Sequence, residues 1–315
     1  MRVLLLSSAG KALDNSPMWR ALGNDVELEL HFLDKAQQRD LKGWFRNIEI
    51  GRYDRIVLDL MFKYIHKQSR LLGTLPNLVL YEEDAYLNFM PGSKWLGVFS
   101  ALYRKLPEAR LITTGAWVAR RFAAEQVDAH FVPKGFDAQR LNDRGSAERD
   151  IFLGFIGRLG SSVYARRQEL LTSLAAVEPL QLMRTQRPDE YPELLNRIRC
   201  FVSADIGLKE YMAKNFEAMA CGCLLIAKRQ GDGEEHALGL CDGENVLLYD
   251  GLAELRQKIE WVRQNPAASL DIAVAGREWV FANNEYARLA KRIETIISRP
   301  FVTVPRAPRP WWKMW

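Results

Sequence analysis

The chain has 315 residues, of which 48% are hydrophobic and 26% charged, with a net charge of +5 and a pI near 9.0. That length and apolar content bury a sizeable core and leave room for two domains of about 150 residues, which excludes a disordered chain. No run approaches the roughly 18–20 uninterrupted apolar residues of a membrane-spanning helix, and the apolar start at residues 3–6 is too short for a signal-peptide core, so a cytoplasmic protein is expected.

Residues 2–6 are an apolar run closed by Ser7, Ser8, Ala9, Gly10 and Lys11, the pattern of a first parallel strand and its turn. The turn holds neither GxGxxG nor GxxxxGK[ST], so a dinucleotide fingerprint and a P-loop are both excluded, and Lys11 reads as a surface residue. Further strands are expected at residues 26–32, 56–60, 78–81, 110–113 and 129–133, with helical stretches between them. That alternation predicts a mostly parallel sheet.

Glu82, Glu83 and Asp84 follow the fourth strand, at the edge where open α/β sheets place ligands. They are the candidate catalytic carboxylates: one could take the proton of an acceptor hydroxyl, and neighbouring acids can raise each other's pKa. The plain alternative is an acidic loop beside a helix start. Two basic features share this half: Arg39, Lys42, Trp44, Phe45 and Arg46 interleave cations with aromatics, and Lys63, Lys67 and Arg70 recur at helical spacing. Residues 1–142 hold 20 Lys and Arg against 16 Asp and Glu, so most of the excess positive charge lies here. Both features fit a solvated helix face, or contact with a membrane surface or an anionic acceptor.

The polar stretch from Arg140 through Asn142, Asp143, Arg144, Gly145, Ser146 and Glu148 to Arg149 reads as a linker. A buried strand at residues 151–156 then runs into Gly157 and Arg158, and Arg166 and Arg167 open a helix. Strands are expected at residues 180–183 and 200–203, with a helix over 190–199 between them. In residues 214–250, Asn215 reads as the cap of a short helix that Gly222 ends, followed by a buried strand at 224–227. Gly231, Asp232 and Gly233 turn the chain into Glu234 and Glu235, which open a second short helix before a strand at 246–249. Free amides at a helix start attract phosphate, and Glu217, one turn further in, could accept from ribose hydroxyls.

Cys200, Cys221, Cys223 and Cys241 form no paired metal-ligand spacing and read as buried thiols. Residues 252–298 are helical in pattern. The end carries prolines at 300, 305, 308 and 310 together with Arg306, Arg309, Trp311, Trp312, Lys313 and Trp315. It suits either a bilayer interface or an arm packed back onto the first domain.

Several of these stretches together resemble the group 1 glycosyltransferases, meaning glycosyltransferase family 4 and its relatives. Glu217, Ala218, Met219, Ala220, Cys221 and Gly222 match the helix of its donor site, and 242–248 matches the "dGeNgll" segment. Residues 130–137 are similar to "vipnGvD", and Gly157, Arg158 and Leu159 to "vGRl". The resemblance implies a GT-B fold, two Rossmann-like domains facing each other across a cleft: 1–142 for the acceptor, 143–298 for a nucleotide-diphosphate sugar, then a tail at 299–315. It further implies donor contacts from Gly157, Arg158, Arg166, Arg167, Lys214, Asn215, Glu217, Glu234 and Glu235, with neither metal nor cofactor.

The family usually carries two glutamates with seven residues between them, whereas here Lys209 stands at the first position and Glu210 leaves six. Either Lys209 or Glu210 would face the sugar, the stereochemical outcome stays open, and a shorter-motif branch related to spore-maturation glycosyltransferases is the better match. The expected function is metal-independent, hexosyl-type transfer to a glycan, lipid-linked or lipopolysaccharide-type acceptor in polysaccharide biosynthesis, in the cytoplasm or at the inner face of a membrane. The rivals are a sugar-nucleotide epimerase or hydrolase on the same fold and a non-catalytic nucleotide-sugar-binding subunit. No recognised module or long basic run supports nucleic-acid binding.

Overall fold

The computed structural model describes residues 1–145, 148–160 and 164–301. Among them, six parallel strands form a first sheet: β1 (Arg2–Ser8), β2 (Glu27–Leu33), β3 (Arg55–Asp59), β4 (Leu78–Glu82), β5 (Arg110–Thr113) and β6 (Asp128–Phe131), in the order β2-β1-β3-β4-β5-β6. A second parallel sheet holds β7 (Ile151–Ile156), β8 (Leu180–Met183), β9 (Ile198–Ser203), β10 (Leu224–Lys228) and β11 (Leu247–Tyr249), in the order β11-β10-β9-β7-β8. This is the expected α/β architecture of two Rossmann-like units.

The strands are apolar throughout because both faces of each sheet are covered. In the first sheet, Leu4, Leu6, Ile56, Leu58, Leu78 and Leu80 point into one layer, where Phe62, Phe99 and Phe122 meet them. Val3, Leu5, Val57, Val79 and Tyr81 alternate into the other. That second layer is closed by Met18, Trp19 and Leu22 of the helix Ala12–Leu22, and by Leu289, Ala290, Ile293, Ile296 and Ile297 of the helix Tyr286–Ser298.

Residues 286–298, assigned to the second domain from sequence, therefore complete the first. The four buried Leu and Ile side chains among them, each contributing about 1.5–3 kcal/mol, hold that helix there, and polar contacts fix its end. Arg110 donates to the carbonyls of Ile296 at 2.6 Å and Pro300 at 2.8 Å, and its guanidinium stacks on Phe301. The rest of the proline- and tryptophan-rich tail, 302–315, lies outside the described residues, as does Ser146 of the linker.

Three further expectations change. Lys63, Lys67 and Arg70 do not share a helix, because the chain forms two separate turns, Phe62–Ile65 and Ser69–Leu72, with Lys67 between them. Of the aromatics interleaved with the nearby cations, Phe45 is buried and Trp44 packs on His31, so both serve the fold. Cys200, Cys221 and Cys223 are buried, but Cys241 lies exposed in the turn before β11.

Candidate active site

An open parallel sheet leaves a crevice at its carboxyl edge where neighbouring strands send their chains in opposite directions. In the first sheet that point lies at β1, between β2 and β3; in the second it lies at β7, between β8 and β9. The loops after β1 and β7 face each other, and a cleft of about 570 Å³ separates them. Lys11, Asp14, Asn15, Glu83 and Lys134 line one wall; Gly157, Arg158, Arg184, Tyr191, Lys214 and Glu217 line the other.

On the first wall the lysines are already matched. Asp59, fully buried at the end of β3, accepts from Ser7 Oγ at 2.9 Å, Trp19 Nε1 at 2.8 Å, Asn15 Nδ2 at 3.2 Å and Lys11 Nζ at 2.7 Å. Lys11 also pairs with Glu83 Oε2 at 2.9 Å, so it is an internal bridge rather than a surface residue. Burial pulls its ammonium down, but the two carboxylates outweigh this and hold it well above the ordinary lysine value. Burial raises Glu83 in turn, yet Lys11 and Lys134 keep its carboxyl below the usual glutamate range. Asn15 and Lys11 both engage Oε2 of Glu83 and leave Oε1 without a partner among the described residues.

Of the three candidate acids, only Glu83 reaches the cleft. Strand alternation turns Glu82 into the opposite, apolar layer near Tyr103, where burial raises its carboxyl well above the ordinary value. Asp84 stands exposed outside the cleft.

The second wall carries unmatched charge. Gly157 has φ +156°, and a β-carbon there would sit 2.5 Å from Lys214 Nζ; its absence lets the lysine lie across the end of β7. Lys214 Nζ stands 4.9 Å from the Phe155 ring and has no carboxylate partner among the described residues. Burial, reinforced by Arg167 and Arg158, lowers its pKa to about 8. Arg158 and Arg184 are exposed to the cleft and have no carboxylate partner among the described residues either. Glu217 Oε2 accepts from the Tyr191 hydroxyl at 2.6 Å, and burial raises its carboxyl in spite of that bond and of Lys214.

Arg166 and Arg167 separate. Arg166 turns out to a hollow beside Glu169 and Asp250, away from the cleft. Arg167 is buried in the cleft wall, where it pairs with Asp205 at 2.5 Å and stacks on Tyr164. Asn215 is not a cap: it lies inside the helix Ala213–Ala220, whose cap residue is Met212, and its amide donates to Asp205 at 2.7 Å. Asp205 also accepts from the Met212 amide at 3.0 Å, and so orders the helix start from below. The amides of Ala213 and Lys214 keep no acceptor among the described residues, and both residues line the cleft.

Neither alternative for the missing family glutamate faces the cleft. Lys209, at φ +58°, pairs with Asp232 at 2.6 Å, while Leu208 beside it enters the core of the first domain. Glu210 is buried between the domains: it accepts from Lys134 Nζ at 2.6 Å and Thr114 Oγ1 at 3.2 Å, and packs where only Gly115, lacking a β-carbon, leaves room. Burial, partly offset by Lys134, pushes it up to about 7.

Glu234 and Glu235 also stand outside. Glu234 accepts from the amides of Ala116 and Trp117 at 3.0 and 2.8 Å, and so closes the start of a first-domain helix from the second domain. Glu235 accepts from the Tyr211 hydroxyl and the Gln230 amide. Sequence reasoning missed Asp59, whose visible signal is an acid ending an apolar strand, and Arg184 and Tyr191, for which no local signal exists.

A family model described as glycosyl transferase-like matches residues 166–295. No curated protein matches the chain. Among solved structures, HepE of Anabaena in complex with UDP-glucose is similar with a TM-score of 0.71 at 14% identity, covering 95% of this chain and 99% of that one. A sucrose-phosphate synthase from Thermosynechococcus elongatus gives 0.67 at 12% identity, covering 94% and 98%. An α-glucosyltransferase solved with UDP-glucose and DNA containing an abasic site gives 0.59 at 12%, covering 95% and 100%. The chain thus has the GT-B fold of glycosyltransferases, and most of its second half matches the glycosyl transferase-like family.

Proposed function

We propose that the protein transfers a glycosyl group from a nucleoside-diphosphate sugar to an acceptor bound on the first sheet. The observation that carries this reading is the cleft itself: among the described residues, it has unpaired cations and a free helix start on one wall and a carboxylate oxygen with no partner on the other. Lys214, Arg158, Arg184 and the amides of Ala213 and Lys214 would neutralise the diphosphate as the bond to the sugar breaks. Fixed cations serve that purpose, so the reading calls for no metal. Glu217, oriented by Tyr191, would accept from the ribose hydroxyls.

Oε1 of Glu83 would accept the proton of the acceptor hydroxyl, with Lys11 and Asn15 holding the carboxylate in place. A hexosyl donor and a glycan or lipid-linked acceptor, handled at the inner face of a membrane, complete the proposal. The lack of a cleft-facing acid at Lys209 or Glu210 supports placement in the shorter-motif, spore-maturation-type branch. The same feature favours one second reading, a nucleotide-sugar-binding subunit without turnover.

HepE was solved with UDP-glucose, which makes UDP-sugars the first donors to try. Incubation of the full chain with radiolabelled UDP-sugars and a panel of glycan and lipid acceptors is expected to release UDP and label an acceptor. Tight nucleotide binding with no UDP release across the panel would establish the second reading instead. Free sugar or an epimer formed as fast without acceptor would replace both.

A further inference from the structure

Beside the cleft, the carboxyl edge of the first sheet bears a second hollow of about 660 Å³, within the range of ligand-binding sites. The turn Ala9–Lys11 is the shared partition: Ala9 and Gly10 line the hollow, and Lys11 lines the cleft. Its floor is apolar, built from Leu33, Met61 and Ala9. The buried Gln38 among them is fully engaged, donating to Ser8 Oγ and the Leu33 carbonyl and accepting from the Met61 amide.

The rim is basic. Lys35 and Lys63 border the hollow, and Arg39 and Lys63 each stand 4.9 Å from the ring centre of Tyr64, which fixes two cations on one aromatic. Among the described residues, no carboxylate pairs with Lys35, Arg39 or Lys63. Asp34, the single acid of the lining, is occupied in accepting from the amides of Ala36 at 2.7 Å and Gln37 at 2.9 Å. Residues 35–70 hold nine Lys and Arg against four Asp and Glu, an excess of five equal to the net charge of the whole chain.

We propose that this hollow binds the phosphate and adjoining alkyl chain of a lipid-linked acceptor, so that the acceptor's sugar hydroxyl crosses the Ala9–Lys11 turn to Oε1 of Glu83. The inference rests on the transferase reading for its last step and on the hollow alone for the first. Unpaired lysines attract a phosphate as point charges, and the apolar floor gains from covering an alkyl chain but not from a free phosphate. A neutral lipid would leave the rim unmatched.

The test is calorimetric titration of the full chain with n-decyl phosphate below its micellar concentration, beside inorganic phosphate, n-decyl maltoside and duplex DNA. Decyl phosphate is expected to bind at least about tenfold more tightly than inorganic phosphate or the maltoside, and the K35E/K63E variant to lose about tenfold or more. UDP binding by that variant is expected to be unchanged, which also certifies its fold. Equal binding of the three small probes, or decyl phosphate binding that survives K35E/K63E, overturns the proposal. Duplex DNA binding that K35E/K63E abolishes, without decyl phosphate binding, overturns it in favour of a nucleic-acid backbone. Failure of the wild-type chain to bind UDP would sink the donor reading and leave the alkyl-phosphate result to stand by itself.

Discussion

The two walls of the cleft hold comparable numbers of charged side chains and treat them in opposite ways. On the first wall each lysine is matched: Lys11 lies between Asp59 and Glu83, and Lys134 donates to Glu210, Thr114 and the Glu83 carbonyl, which uses all three of its protons. On the second wall Lys214, Arg158 and Arg184 have no carboxylate among the described residues. A charge kept from water without a partner weakens the fold, and this fold retains one at Lys214. Under the transferase reading, the matched wall holds a geometry and the unmatched wall receives an anion.

The comparison breaks most sharply at Glu83. Under the transferase reading, Glu83→Gln removes the proton acceptor and is expected to lower turnover by about 10²- to 10⁴-fold, with nucleotide affinity retained. Because the Glu83 carboxyl lies below the usual glutamate range, the acid limb of wild-type turnover should also fall below that range. A loss under about threefold in steady-state assays would remove Glu83 from the mechanism.

Glu210→Ala leaves Lys134 buried without its carboxylate and is expected to cost about 3–5 kcal/mol in urea denaturation. Glu210→Leu combined with Lys134→Met should recover most of that, since the pair as a whole offsets little more than its own desolvation. Destabilisation of the double variant equal to the sum of the singles would show that the two residues do not act as a pair.

On the unmatched wall, Lys214→Met is expected to weaken UDP binding by about 10- to 100-fold while leaving the apo protein equally or more stable. The pH sign follows from the depressed lysine. Between about 8 and 10.5 the unfolded chain holds a proton that the folded apo chain has released, so apo stability rises with pH across that window. A bound diphosphate restores the proton, so UDP affinity should fall as pH rises through 8. Both slopes should vanish in Lys214→Met, and their persistence would assign the titration to another group.

Much of the fold was legible because a strand buried on both faces announces itself as an apolar run: β8 at 180–183 and β5 at 110–113 fall where they were expected. Gly157, Arg158, Lys214 and Glu217 were also marked by local pattern, and the cleft brings all four together. The acids were harder. Glu82, Glu83 and Asp84 are equivalent as letters, and one residue of strand alternation separates a carboxylate in the cleft from one in the core. Glu234 and Glu235 stood in a stretch that matched the donor site, yet Glu234 meets its partners across the domain boundary, and Glu235 is taken up by Tyr211 and by its own turn.

By itself, the sequence determined two parallel α/β units, the helix-turn-strand around Glu217 and the surplus of cations, since periodicity, glycine placement and charge are local properties. Tertiary structure alone decided which charges are matched. Lys11 meets Asp59 across 48 positions, Lys134 meets Glu210 across 76, and the helix Tyr286–Ser298 returns to the sheet where the chain began. The physical reason is that a charge is neutralised by what lies within a few ångströms in space, and chain order carries no record of that distance.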